Sequence, residues 1–150
     1  MSHTYTSVLI HTVFSTKDRR NSISRNVANR LGLYISGIAR KNDMKALASG
    51  GTENHLHVLL SLPSTMPVAK ALQLVKGGSS KWIHETFPTH ADFAWQEGYG
   101  AFSVSVSGVD ETIAYINGQE EHHRTRSFEE EYVEFLRRHG MEYDERYVWG

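Results

Sequence analysis

Two histidines separated by a single residue are the first candidates for chemistry in this sequence. His55 and His57 flank Leu56. From His55 onward polar and apolar residues alternate until the segment becomes apolar and ends at Leu62, a pattern that is typical of a β-strand. Because side chains two residues apart in a strand point to one face, both imidazoles would converge on one point above a sheet. Two neutral imidazoles at this spacing can hold a divalent cation together with further oxygen or nitrogen ligands. The alternative is a pair of half-exposed histidines that bind no metal.

A tyrosine and a glutamine four residues apart form the second candidate pair. Tyr115 and Gln119 would share one face of a helix over about residues 110–121. A phenolic hydroxyl has a pKa near about 10, so it is a poor nucleophile until a metal or a base assists it. The amide oxygen of Gln119 can bind a metal. The alternative for Tyr115 is a core tyrosine with a hydrogen-bonded or solvated hydroxyl.

The elements that must position these residues follow from the hydrophobic pattern. Strands are predicted over residues 4–16, 45–49, 55–62 and 101–106, with a turn over 50–54. Helices are predicted from a cap at Ser24 to Arg40 and over residues 67–86, where the glycine pair 77–78 interrupts the apolar stripe. A third helix is predicted from a cap at Ser107 or Asp110 to about Glu121, and a fourth over 128–139.

This order of elements predicts an α+β fold. A βαββαβ core is the ferredoxin-like plan, with an antiparallel sheet, helices on one face and the other face open for a ligand. Two further helices follow at the C-terminal end. Because no repeat, linker or low-complexity tract interrupts the chain, we expect one domain over residues 1–150.

Composition excludes several classes of protein. The 150 residues contain no cysteine, so a disulfide scaffold, a thiolate metal site and a cysteine nucleophile are excluded. The sequence contains no apolar run of membrane-spanning length and begins with nothing like a signal peptide, so we expect a soluble protein of the bacterial cytoplasm.

Charge is divided unevenly along the chain. Residues 1–85 carry eleven basic and four acidic side chains, whereas residues 86–150 carry five basic and thirteen acidic ones. The steep division favours a polyanionic partner for the first part. The alternative is that the two parts neutralise each other within one fold or across a dimer.

Five segments, in order along the chain, resemble a known family. Residues 50–60, with the sequence GGTENHLHVLL, are similar to the His-hydrophobe-His ("HUH") segment of the single-tyrosine transposases of bacterial insertion sequences, which include the REP-associated tyrosine transposases. The other segments that fit the same pattern are residues 13–17, 79–83, 95–103 and 115–119. The resemblance covers nearly the whole chain.

The resemblance implies a specific chemistry. By match of position, His55, His57 and Gln119 would bind a divalent metal, Mg²⁺ or Mn²⁺, and Tyr115 would be the nucleophile. Such enzymes act as homodimers in DNA transposition and recombination. They recognise hairpin DNA, cleave single-stranded DNA and rejoin it through a 5′-phosphotyrosine. One departure is Gly118, where relatives often carry asparagine, and a glycine there would make the tyrosine helix more mobile.

We assign DNA contacts to five residues of the basic part, namely Lys17, Arg19, Arg20, Lys76 and Lys81. Two rival functions stay open at this point. One is a module that binds hairpin nucleic acid without cutting it. The other is a metal-dependent phosphodiesterase whose nucleophile is water. A covalent protein–DNA adduct would exclude both rivals.

Overall fold

Four antiparallel strands form the centre of the fold. The structure is a computed structural model that describes residues 3–150. The strands are β1 (Leu9–Ser15), β2 (Lys45–Thr52), β3 (His55–Ser61) and β4 (Gly100–Ser103). They are ordered β2-β3-β1-β4, and each neighbouring pair is antiparallel. The predicted ferredoxin-like sheet is therefore confirmed, with β1 and β3 as its central strands.

Within residues 3–150, five α-helices pack around this sheet. They are α1 (Arg25–Lys41), α2 (Val68–Thr86), α3 (Val109–Asn117), α4 (Gln119–His122) and α5 (Phe128–Arg138). The predicted cap of α1 is confirmed, because Ser24 Oγ accepts a hydrogen bond from the Val27 amide at 3.4 Å. Helix α5 begins with a capping box between Ser127 and Glu130.

Helices α1 and α2 pack on the first face of the sheet. The alternation in β3 places Leu56, Val58 and Leu60 in this core, where all three are buried. Helix α2 extends to Thr86 as predicted, and it continues through the glycine pair at which the sequence indicated an interruption of its apolar stripe. A Cβ at Gly78 would lie 2.8 Å from Ile38 Cδ1, so this glycine allows α1 and α2 to pack closely.

The second face of the sheet is covered, and the prediction of an open face is wrong. Val13 of β1 and Phe102 of β4 pack against an apolar stripe of α5. That stripe consists of Phe128, Tyr132 and Leu136. Burying this stripe requires an apolar partner, and the second face of the sheet supplies one.

Several predicted boundaries also differ from the structure. Strand β2 continues to Thr52, so the predicted turn shrinks to residues 53–54. A Cβ at Gly50 would lie 2.4 Å from the Ile116 carbonyl oxygen, so glycine lets α3 approach this extended strand. Two strands are shorter than predicted, because β1 begins only at Leu9 and β4 already ends at Ser103. The helix predicted over 110–121 is broken at Gly118, which ends α3 before α4 starts.

Candidate metal centre and tyrosine

Both histidines of the His-hydrophobe-His segment lie on the second face of β3. His55 pairs with Ser15 of β1, and His57 pairs with Val13. Their side chains point to the same face, as the strand spacing predicts. Both are fully buried beneath the C-terminal helices, so the alternative of two half-exposed histidines is wrong.

The helical pair Tyr115 and Gln119 faces these histidines within the same chain. Gln119 Oε1 lies 2.9 Å from His55 Nε2, and Gln119 is buried. The Tyr115 hydroxyl is a hydrogen-bond donor to Glu131. Although the helix breaks at Gly118, Gln119 Nε2 still donates to the Tyr115 carbonyl at 3.3 Å. The sequence-predicted tyrosine, glutamine and histidines are thus brought together.

A buried carboxylate, Glu131 of α5, lies at the centre of this cluster. Its Oε1 atom is 2.9 Å from His57 Nε2 and 3.7 Å from His55 Nε2. Its Oε2 atom accepts the hydrogen bond of the Tyr115 hydroxyl. The carboxylate therefore joins the candidate nucleophile to the paired histidines.

Two more histidines surround this cluster. His11 of β1 places Nε2 2.7 Å from His57 Nδ1. His123 places Nε2 3.1 Å from Gln119 Oε1 and 3.3 Å from Glu131 Oε1. Both lie outside the group formed by His55, His57 and Glu131, and they act on its orientation and charge.

The partners of the paired histidines suit a metal. His55 Nδ1 lies 2.9 Å from Asn54 Oδ1, an oxygen that can only accept a hydrogen bond. When His55 Nδ1–H donates to Asn54 and His57 Nδ1–H donates to His11, both Nε2 lone pairs are free to bind a cation. One ligand atom from each of His55, His57 and Glu131 lies within 4.8 Å of the other two. The donor set, two imidazoles and one carboxylate, fits a divalent cation.

The electrostatics of the cluster keep two of its imidazoles, His55 and His11, neutral. Burial, reinforced by the neighbouring His57, lowers the pKa of His55 to about 3. Burial and His57 likewise lower the pKa of His11 to about 3. Neutral imidazole is the form that binds a metal.

The two acidic groups are shifted in opposite directions. Burial opposes the charge of Glu131, but hydrogen bonds from His123 and His57 outweigh it and lower the pKa of the carboxyl group. Burial, followed by the hydrogen bond to Glu131, raises the pKa of the Tyr115 hydroxyl. Without a cation the tyrosine therefore stays protonated and the glutamate ionised.

Sequence reasoning missed Glu131 and His11. Glu131 lies within a run of three glutamates, but it is three residues after Phe128 and four before Phe135. That spacing places it on the apolar stripe of α5, and an acid on such a stripe is a signal of a buried partner. His11 could be found only from the register of β1 with β3, which the sequence does not show.

The five residues predicted to contact DNA lie outside this cluster. Lys17, Arg20 and Lys81 are exposed. Arg19 forms an ion pair with Glu129 at 2.9 Å and lies 4.8 Å from the Trp149 ring centroid. Lys76 donates hydrogen bonds to the carbonyl groups of residues 96, 97 and 98 at 2.7–3.0 Å, and burial lowers its pKa to about 8.

A ferredoxin-like sheet with paired histidines, a carboxylate and a tyrosine hydroxyl defines a candidate metal centre with a built-in nucleophile. Residues 4–119 match the family model described as "Transposase IS200 like". The match covers well over half of the chain, and the chain belongs to this family of IS200-like transposases.

Curated relatives and solved structures agree with this assignment. The transposases for insertion sequence element IS200 of Salmonella typhimurium and Salmonella typhi are each 26% identical over 87 residues. Each match covers 58% of this chain and 57% of the relative, so it spans little more than half the length of these curated proteins.

Two solved structures share the fold. A protein of Deinococcus radiodurans R1, assigned as a transposase, aligns with a TM-score of 0.65 and 22% identity, over 79% of this chain and 96% of that one. A REP-associated tyrosine transposase bound to a REP hairpin aligns with a TM-score of 0.60 and 13% identity, over 82% of this chain and 73% of that one. Among the helices of residues 3–150, none is both long and apolar enough to cross a membrane.

Proposed function

We propose that this chain is a DNA transposase that cleaves and rejoins single-stranded hairpin DNA through a 5′-phosphotyrosine. The observation that carries the proposal is the contact of the Tyr115 hydroxyl with Glu131, whose carboxylate also contacts His57. The candidate nucleophile and the candidate metal-binding side chains thus form one buried cluster. Membership of the IS200-like transposase family supports the same activity.

Each residue of the cluster has a role in this proposal. His55, His57 and Gln119 hold a divalent cation, Mg²⁺ or Mn²⁺. A cation bound there would polarise a phosphodiester and stabilise the negative charge that develops on it. The Tyr115 hydroxyl loses its proton and its oxygen forms a bond to phosphorus. The bond from phosphorus to the 3′ oxygen breaks, and that oxygen takes up a proton and leaves as a 3′-hydroxyl. The phosphotyrosine retains the bond energy, so a second 3′-hydroxyl can reverse the step and join two strands.

The partner of this activity is hairpin DNA, bound in the bacterial cytoplasm by a homodimer. Support for the hairpin comes from the fold shared with a transposase that was solved with a REP hairpin. Contacts with the phosphate backbone are assigned to the basic residues already named, of which Lys17, Arg20 and Lys81 have exposed side chains.

Replacing the tyrosine tests the proposal directly. We expect Tyr115→Phe to abolish the covalent adduct, with at least a thousandfold loss of cleavage rate, because the substitution removes the nucleophilic oxygen and keeps the ring. Binding of the hairpin should stay within threefold of the wild-type value. The measurement is a denaturing gel of labelled single-stranded hairpin DNA incubated with protein and Mg²⁺ or Mn²⁺.

The control for this experiment is Tyr99→Phe. Tyr99 packs on the face of the sheet that α1 and α2 cover, beside the Lys76 ammonium, and it should be dispensable for the adduct. An adduct that persists in Tyr115→Phe and disappears in Tyr99→Phe would mean that the nucleophile is misassigned. Cleavage without an adduct in the wild-type protein would mean that water is the nucleophile, and binding without cleavage would indicate a binding module.

A further inference from the structure

The two oxygens of Glu131 face two different groups. Oε1 lies 2.9 Å from His57 Nε2 and 3.7 Å from His55 Nε2, on the side of the paired histidines. Oε2 accepts the hydrogen bond of the Tyr115 hydroxyl. One carboxylate thus spans the distance between the metal-binding imidazoles and the candidate nucleophile, with one oxygen for each.

We propose that Glu131 has two roles, in which Oε1 is a ligand of the divalent cation and Oε2 is the hydrogen-bond acceptor that positions the Tyr115 hydroxyl beside it. This inference rests on the proposed function and adds a residue that the family resemblance did not supply. Glu131 is a ligand in one role and a positioning residue in the other.

The surroundings of Glu131 keep this carboxylate in place. Helix α5 is held at its first turn by the capping box of Ser127 with Glu130, and by the ion pair of Glu129 with Arg19. The flanking residues Phe128 and Tyr132 are buried against the sheet. A side chain on so constrained a helix turn has little freedom to leave the cluster.

Charge explains why a carboxylate suits this position. The other side chains proposed to bind the cation, two imidazoles and the Gln119 amide, are neutral ligands. An ionised carboxylate adds a negative charge at the cation, and hard cations such as Mg²⁺ and Mn²⁺ prefer oxygen ligands. Removing only the charge of Glu131 should therefore weaken cation binding more than removing the charge of an exposed acid on the same helix.

The first arm of the test is calorimetric titration of the DNA-free protein with Mn²⁺. We expect Glu131→Gln to weaken Mn²⁺ binding at least tenfold. The matched control is Glu130→Gln, an exposed neighbour on α5 where glutamine still completes a capping box, and it should bind Mn²⁺ as the wild type does. Tyr115→Phe should bind Mn²⁺ within threefold of the wild type, because the hydroxyl and the cation use different oxygens.

The second arm measures positioning at Mn²⁺ concentrations that saturate each variant. Glu131→Gln should form the covalent adduct at least a hundredfold more slowly than the wild type in a single turnover. Its dissociation constant for the hairpin should not change. If Glu131→Gln does not fold, as judged by circular dichroism, Glu131→Asp replaces it in both arms, since the aspartate keeps the charge but is one methylene shorter. Glu131→Asp should bind Mn²⁺ more tightly than Glu131→Ala and still form the adduct slowly.

Specific results would overturn each role. Mn²⁺ affinity that is unchanged in Glu131→Gln but lost in His57→Ala excludes Glu131 as a ligand. If Tyr115→Phe binds Mn²⁺ more than tenfold more tightly than the wild type does, the hydroxyl and the cation compete for one carboxylate. That result excludes the dual role. A wild-type adduct rate in Glu131→Gln at saturating Mn²⁺ excludes positioning. If the wild-type protein forms no adduct, the proposed function fails together with the positioning role, and the Mn²⁺ titration alone decides whether Glu131 is a ligand.

Discussion

Glu131 is an ionised side chain with only 1% of its surface exposed. Burial of an unpaired carboxylate costs several kcal/mol, so this glutamate depends on the donors around it. His123 and the Tyr115 hydroxyl donate to it, and His57 is a third donor in the metal-free tautomer that carries its proton on Nε2. The arrangement stabilises an acid beside the neutral imidazole of His55, which is the state that a cation needs on arrival.

Removal of one imidazole should therefore affect stability as well as metal binding. We expect His57→Ala to lower the free energy of unfolding by about 2–4 kcal/mol, since it leaves a cavity and removes partners of Glu131 and His11. Calorimetric titration should show Mn²⁺ affinity reduced at least tenfold. His90→Ala, at a partly buried position on the other side of the sheet, is the control and should leave Mn²⁺ affinity unchanged. Equal Mn²⁺ affinities in the two variants would contradict the assignment of His57.

The buried His11 predicts how stability depends on pH in the metal-free protein. Its pKa falls from 6.5 to about 3 on folding, so between these values the unfolded chain binds a proton that the folded chain does not. The contribution of neutral His11 to the free energy of unfolding is therefore fully present above pH 6.5 and is lost as the pH falls. Between pH 6.5 and 5 the loss amounts to about 2 kcal/mol, at about 1.4 kcal/mol per pH unit.

His11→Phe removes this titration and keeps a ring of similar size. The measurement is the free energy of unfolding by urea with EDTA present. Between pH 7 and pH 5 we expect this free energy to fall by about 2 kcal/mol more in the wild type than in His11→Phe. His55 and Glu131 titrate in both proteins, so their contributions cancel in the comparison. Parallel stability curves would show that His11 is not the neutral buried group described here.

The sequence predicts the chemistry of this site better than its surroundings. His55 and His57 share a strand face because of their spacing alone, and the family resemblance indicated Tyr115 and Gln119. Glu131 was not predicted, because it lies in a run of three glutamates of which the other two are not buried. Only its position on the helix, on the face that carries the apolar stripe, distinguishes it from them. His11 depended on strand register, which is set by long-range pairing.

At the scale of elements, the largest difference between prediction and structure is the position of α5. Its boundaries follow from helical periodicity and were predicted correctly to within one residue at the C-terminal end. Its docking against the second face of the sheet was not predicted, because the βαββαβ plan led us to expect that face to be open. The same docking buries the paired histidines and places Glu131 beside them.

The contact between β2 and α3 offers a test of how elements position the site. A Cβ at Gly50 would lie 2.4 Å from the Ile116 carbonyl oxygen, so Gly50→Ala must push α3 away from the sheet. We expect a loss of about 1–3 kcal/mol in stability, as for other overpacked contacts. Because α3 and α4 carry Tyr115 and Gln119, adduct formation should slow at least tenfold.

Gly77→Ala is the matched control for this substitution. Gly77 lies within α2, and a Cβ there would meet no atom within 4 Å. Alanine should stabilise this helix by up to about 1 kcal/mol and leave adduct formation unchanged. If Gly50→Ala is as stable and as active as Gly77→Ala, the close approach of α3 to β2 does not position the site.

At the scale of the whole molecule, the uneven charge of the sequence is partly neutralised by folding. Arg19 from the basic part pairs with Glu129 from the acidic part at 2.9 Å. Lys76 is occupied by three backbone carbonyl groups. By contrast, the side chains of Lys17 and Arg20 are exposed beside Arg19 in the loop after β1. The sequence shows the charge asymmetry, but only the fold shows which cations are already engaged.

This difference predicts unequal contributions to DNA binding. Each neutralised phosphate of a single strand contributes a slope of about −0.7 to log K against log salt concentration. We expect Arg20→Gln to flatten the slope for hairpin binding by about 0.7, because its side chain is 64% exposed and its ion pair with Asp18 is long, at 3.6 Å. Arg19→Gln should change the slope by less than half as much, since its guanidinium already faces Glu129 and Trp149.

Arg138→Gln, on the acidic part, is the control and should leave the slope unchanged. Binding that does not depend on salt, or a slope that responds only to Arg138→Gln, would exclude the basic part as the surface that contacts DNA.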